Sequence, residues 1–157
     1  HEYAERNGLI PFTEVKQFDA ITCTAALAER TGFLVGDQLI RIVRVRGLNG
    51  VARQVDHDYL LSSAVQGLTE KDAAHSIFSY LENTLGMRIL TSKRQITVEL
   101  ASDEDSSYLD LGPYNSVAVT ESNSFNSEGI MFEFTQSRSH PMTFCYNVIS
   151  KREAKQV

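Results

Sequence analysis

A chain of 157 residues, 42% hydrophobic and 22% charged, has the size and balance of one ordinary globular domain with a single core. Its net charge of -5 and pI near 5.3 argue against gripping a nucleic-acid backbone unaided. No apolar run reaches membrane-span length and no signal-peptide pattern opens the sequence, so the expected location is cytoplasmic with no membrane partner. The chain opens at His1-Glu2-Tyr3 without an initiator methionine, as a fragment or processed form would. Residues 12 to 20 alternate loosely and predict a strand. Thr22 can cap a helix from Thr24 to Arg30 that Gly32 stops. Gly36-Asp37 then turns the chain into a strand over 38 to 46.

That strand has two distinct faces. Ile40, Ile42, Arg44 and Arg46 share one, and Leu39, Arg41, Val43 and Val45 share the other, because strand side chains repeat every two residues. Guanidinium groups among aliphatics need anions, either carboxylates of the chain itself or those of a ligand. Asn49-Gly50 signals a hairpin, with a return strand over 53 to 60. Thr69-Glu70-Lys71-Asp72 reads as a capping box. Helical spacing continues through Ile77, Tyr80, Leu81 and Leu85 to Gly86.

Residues 87 to 99 read as a strand. Ser102 with Asp105 starts another helix, with Tyr108, Leu109 and Leu111 on its apolar side, ended by Gly112-Pro113. Strands are predicted over 116 to 123, 130 to 139 and 142 to 150, with Gly129 in the first loop between them and Pro141 breaking the last pair. The order β-α-β-β-α-β-α-β-β-β favours an α+β fold. It has a mostly antiparallel β-sheet with packed helices, and one edge or face left for a ligand. Cys23 and Cys145 are far apart and read as small buried hydrophobes, not a disulfide. His57, His75 and His140 have no metal-ligand spacing, and no nucleophile has a matched base. No catalytic residue, metal or cofactor is expected.

Several motifs occur together in a familiar order. They are the Ile-x-Arg-x-Arg strand, Asp56-x-x-Tyr59 ten residues on, Ser76-Ile77-Phe78-x-Tyr80-Leu81, and Phe132-Glu133-Phe134-Thr135-Gln136-Ser137. Over nearly the whole chain this resembles the UTRA domain, the effector-binding domain of the HutC subgroup of GntR-type bacterial transcription regulators. Asn83 to Met87, Glu99 to Asp105 and Thr135 to Arg138 resemble the trehalose operon repressor subgroup. The resemblance implies a chorismate lyase-like fold and a homodimeric repressor. Its effector is a sugar phosphate, for this subgroup trehalose 6-phosphate. Operator DNA is bound only through an N-terminal winged helix-turn-helix domain absent from this chain. Residues 1–11 would be the end of an interdomain linker, 12–152 the effector-binding domain and 153–157 a tail. A phosphate-binding serine is often placed just upstream in the family, so part of the pocket would lie outside this chain.

The resemblance also assigns roles. Arg44 and Arg46 match a phosphate-binding pair, whose forked donors suit an oxyanion. The competing reading is a solvated strand face with cross-strand ion pairs. Asp56 matches an acid that contacts sugar hydroxyls, or else forms a structural ion pair with the arginines. A two-residue turn at Asn49-Gly50 pairs Arg46 with Arg53 and turns Asp56 to the wrong face. A three-residue loop over 49 to 51 pairs Arg44 with Asp56, so the site requires that loop. Ser76 and Phe78 match a phosphate-contacting serine and an aromatic position that is often Tyr. Alternatively, Ser76 only interrupts a longer helix and Phe78 is core. Glu133 matches a second sugar-binding acid, or is an exposed strand carboxylate. Arg138 and Ser139 follow on the same segment and are expected to line the pocket.

Replacing Arg44 or Arg46 by Ala should abolish most binding with the fold intact. The sensor reading competes with a chorismate lyase-like enzyme acting on a small anionic substrate, and with a dimerisation module whose pocket is degenerate.

Overall fold

In the computed structural model, which describes residues 8–151, six strands form one antiparallel sheet. They are β1 (Pro11–Thr22), β2 (Gln38–Leu48), β3 (Val51–Leu61), β4 (Ile89–Leu100), β5 (Ser116–Asn126) and β6 (Met131–Ser139). Their spatial order is β1-β2-β3-β6-β5-β4. Short helical segments connect them: α1 (Ala25–Thr31), a 3-10 turn over Ser62–Ala64, α2 (Glu70–His75), α3 (Ile77–Ser79, continued by a π turn over Tyr80–Thr84) and α4 (Asp103–Tyr108). This is the expected α+β architecture. Residues 1–7 of the expected linker and the expected tail at 153–157 lie outside the described residues.

Both faces of the sheet bury apolar side chains, each worth about 1.5–3 kcal/mol when fully removed from water. On one face, Ile42 and Leu60 pack with Val65, which follows β3, and with Ala73, Ile77 and Leu81 of the α2–α3 segment. On the other, Val43, Val45 and Val55 meet Leu109 and Leu111 after α4, while Leu39, Tyr59 and Phe134 meet Cys23, Phe33 and the α1 side chains. The α2–α3 segment covers apolar side chains of β1, β2 and β3. Alongside them, the same face of β5 and β6 carries short polar side chains. That difference leaves a hollow.

Local signals were mostly decisive. Thr69 and Ser102 both form complete capping boxes with Asp72 and Asp105. Thr24, not Thr22, caps α1, accepting the Leu27 N–H at 3.3 Å. Thr22 is the last residue of β1, and a cap must directly precede the first helical residue. The helix predicted from Thr69 to Leu85 breaks at Ser76, which is extended (φ -165°, ψ 114°) and restarts the helix by accepting the Ser79 N–H at 3.2 Å.

The strand predicted over 142 to 150 does not form. The His140 carbonyl instead accepts the Thr143 and Phe144 N–H groups. The reason is topological: β6 lies between β3 and β5, so a following strand has no free edge of β6 to pair with. Cys23 is buried, but Cys145 lies in this irregular segment and is exposed, against expectation. No helix among the described residues is long and apolar enough to cross a membrane.

Candidate functional site

The site begins with the β2–β3 hairpin. Asn49 (φ 51°) and Gly50 (φ 77°) form a two-residue turn, the geometry Asn-Gly favours, so Leu48 faces Val51 and Gly47 faces Ala52. The pairing then shifts: Arg46 faces Gln54 and Arg44 faces Asp56, leaving Arg53 as one extra residue. The three-residue loop is therefore wrong and the register it was needed for is right. A β-bulge supplies the missing residue. The Arg53 carbonyl accepts the His140 N–H at 2.9 Å. Gly47 is required beside the bulge, because a Cβ there would lie 2.0 Å from the Val51 carbonyl oxygen and 2.6 Å from Phe12 Cε1.

This register builds a buried ion cluster. Arg44 Nε donates to Asp58 at 2.8 Å, its Nη2 lies 3.5 Å from Asp56, and its Nη1 reaches the Ala73 carbonyl at 3.5 Å. Arg46 Nη1 donates to the same Asp56 oxygen at 3.3 Å, and Gln54 donates to the other at 2.6 Å. Thr135 donates its hydroxyl proton to Asp58 at 3.0 Å. Burial works against charge on Arg44, but Asp58 and Asp56 outweigh it and hold the guanidinium pKa above its usual value. Burial pushes the Asp58 carboxyl up, with Arg44 and Thr135 pulling against it. Arg44 is thus no solvated surface charge, whereas the Arg46 side chain remains 43% exposed.

A cavity of about 500 Å³ opens over this cluster, within the ~300–1,000 Å³ usual for small-molecule sites. Arg44, Arg46, Asp56, Ser76, Phe78 and Glu133, from four separate elements, all line it. Phe78 is 44% exposed and forms a wall instead of entering the core. Glu133 is buried, not an exposed strand carboxylate. Its carboxyl pKa is pushed up to about 8, first by burial and then by the neighbouring Asp58 carboxylate. Ser124 and Thr135 hydrogen-bond with it. Both hydrogen bonds pull the carboxyl back down, and burial with the Asp58 charge outweighs them.

Sequence reasoning missed Asp58, Arg94 and the hydroxyls of Thr120, Ser122, Ser124 and Ser137, all of which line the cavity. The signal was present. Thr120-x-Ser122-x-Ser124 and Thr135-x-Ser137 place hydroxyls at every second residue, so each set shares one strand face.

Two predicted site residues are misplaced. Arg138 cannot share a face with Ser139, because neighbours on a strand point to opposite sides. It lies on the far side of the sheet, where Nε donates to both Asp105 oxygens at 3.0 Å and Nη1 to Glu99 at 2.7 Å. Burial raises the Asp105 carboxyl, but hydrogen bonds from Arg138 and the Ser102 backbone prevail and hold it below its usual range. Ser139 lies on the cavity side, but one step along the strand. It lines an adjoining hollow with Thr13, Arg46, Gln54 and Ser137. On the far side His57 meets Glu104 at 3.0 Å. Burial, with help from nearby arginines, keeps its pKa below the usual value despite Glu104. No group of His, Cys, Asp or Glu among the described residues could hold a metal ion.

The curled antiparallel sheet carries a charged cavity on one face of an α+β domain. The chain belongs to the UTRA domain family, whose pattern matches residues 6–144. It is similar to the HTH-type transcriptional regulator TreR of Bacillus subtilis, with 28% identity over 137 residues, 87% of this chain and 58% of that protein. The fold is similar to the structure of the B. subtilis trehalose repressor (TreR) effector binding domain, with a TM-score of 0.83 and 26% identity, covering 91% of this chain and 99% of that one. PhnF from Mycobacterium smegmatis shares the fold at 17% identity and a TM-score of 0.83, covering 97% of this chain and 68% of that one. The chain thus spans less than two thirds of the TreR sequence it matches.

Proposed function

We propose that this chain is the ligand-sensing and dimerisation domain of a bacterial transcriptional repressor. It binds a sugar phosphate, first among candidates trehalose 6-phosphate, and so controls operator binding by a winged helix-turn-helix domain elsewhere in the protein. It acts as a sensor, not an enzyme, in the cytoplasm. The observation that carries this reading is one cavity holding the Arg44–Arg46 pair, preset by Asp56 and Asp58, beside Ser76 and across from Glu133.

The chemistry has two halves. At the cationic end, Arg46 commits one nitrogen to Asp56 and keeps donors for a phosphate. Ser76 starts α3 beside it, where a hydroxyl and helix-start amides favour an anion. Asp56 beside the arginines, and beyond them a protonated Glu133 and the hydroxyl rows, suit sugar hydroxyls. A neutral Glu133 also avoids repelling the phosphate. Binding regulates only if the ligand favours one dimer geometry over another.

Calorimetry and thermal shift with trehalose 6-phosphate, glucose 6-phosphate, trehalose and inorganic phosphate test this. Binding should require both the sugar and the phosphate, and a ligand that binds only the folded state raises Tm. No response to any phosphorylated sugar would leave a dimerisation module with a degenerate pocket. Conversion of chorismate to 4-hydroxybenzoate would reinstate the enzyme.

A further inference from the structure

The cavity contains a third arginine whose situation differs from the other two. Arg94 lies on the edge strand β4, faces Ser122 across the β4–β5 pair, and lines the same cavity. Arg44 and Arg46 are both tied to aspartates. Arg94 makes one long hydrogen bond, from Nε to Ser122 Oγ at 3.4 Å, and among the described residues no carboxylate lies within ion-pair distance of it. A guanidinium carries five N–H donors and no acceptor, so most of its capacity faces water or a ligand.

Its position is set by register. Arg94, Ser122, Thr135 and Asp58 are consecutive partners across β4, β5, β6 and β3. Between β2, which carries Arg44 and Arg46, and β4 lie three strands. Four strand spacings of ~4.8 Å make the floor up to about 19 Å wide along the sheet. The sheet's curl and the long side chains reduce the gap, but Arg94 still stands at the opposite side of the cavity from the phosphate end. The floor between is paved with hydroxyls and three buried acids, Asp56, Asp58 and Glu133, which suit a sugar and not an apolar body.

We propose that Arg94 is a specificity-determining residue that binds the end of the ligand remote from its phosphate, and that it sets a length requirement met by phosphorylated disaccharides and not by single sugar phosphates. This rests on the sugar-phosphate reading and deepens it. A second sugar ring presents several hydroxyl oxygens as acceptors, which a forked guanidinium can hold in pairs. A ligand with one ring, held at Arg46, leaves Arg94 solvated and gains nothing from it.

The test is calorimetric titration of the wild-type chain, Arg94→Ala and Arg94→Lys with trehalose 6-phosphate, maltose 6-phosphate and glucose 6-phosphate. Arg94 is exposed, so its replacement should leave the thermal melt unchanged. The expected result is that Arg94→Ala weakens the preferred disaccharide phosphate about tenfold or more, and Arg94→Lys less, while glucose 6-phosphate changes by no more than about twofold. Equal losses for both ligand lengths would place Arg94 at the phosphate and overturn the proposal. Unchanged disaccharide binding would overturn it as well. Absence of wild-type binding to all three ligands would instead remove the sugar-phosphate reading, and this proposal with it.

Discussion

Arg44 and Asp56 face each other across β2 and β3 only because Arg53 is an extra residue in the hairpin. Without that residue every side chain of β3 beyond the turn would change face, and Asp56 would point into the opposite core. One bulged residue therefore decides whether the cavity holds a preset ion cluster. The sheet orders that cluster before any ligand arrives, which reduces the cost of ordering side chains on binding.

The two arginines should respond differently to truncation. Arg44→Ala leaves Asp58 buried without its cation and is expected to destabilise the fold by about 3–5 kcal/mol. The expectation that both variants keep the fold is thus corrected for Arg44. Arg46→Ala should melt near wild type and lose about 10- to 100-fold in sugar-phosphate affinity, the ~1.5–3 kcal/mol of a hydrogen bond to a charged group. Paired thermal melts and titrations check both.

Glu133 gives a pH signature. Its folded-state pKa of about 8 lies above the ordinary carboxylate value of 4.5, so the folded chain keeps a proton that the unfolded chain releases. Stability from this residue is fully present below the unfolded pKa and is lost as pH rises through about 8. Glu133→Gln stays neutral and should flatten the Tm–pH curve between pH 6 and 9, melting higher than wild type at the alkaline end. Parallel curves for the two proteins would show that Glu133 is already ionised.

Arg138 separates structure from binding. Arg138→Ala strands the buried Asp105, which also caps α4, and should cost about 3–5 kcal/mol. It lies across the sheet from the cavity, so ligand affinity of the folded fraction should stay within about twofold. A large affinity loss at unchanged stability would return it to the binding site.

Gly47 guards the bulge. Gly47→Ala drives a methyl group into the Val51 carbonyl, so the hairpin must open or re-register. The expected cost exceeds ~2 kcal/mol, the scale of an overpacked core. Any surviving fold should bind phosphate poorly, because Arg46 is the neighbouring residue. Chemical denaturation with a parallel titration measures both effects.

Local signals were legible wherever the physics is local. The capping residues Thr69 and Ser102, the Asn49-Gly50 turn and the two faces of β2 each depend on a few neighbouring residues, and all were readable. The strand at 142–150 failed for a reason no local window contains, since its pattern is apolar enough but β6 has no free edge. Arg138 failed on strand parity, which was available from the sequence and overridden by proximity to Ser139. Thr22 failed because it lies two residues before the true cap, Thr24, and still belongs to β1.

By itself the sequence determined the α+β class, the arginine pair, and the alternating acids and hydroxyls that form the site. These follow from side-chain period and chemistry along single strands. Tertiary structure decided which of these groups meet: the bulge at Arg53 brought Asp56 to Arg44, and the strand order carried Arg94 to the far wall. It also decided their charge states, because burial is a property of the packed sheet and not of any segment. Glu133 is an ordinary acid in the chain and a proton-retaining one in the fold for that reason.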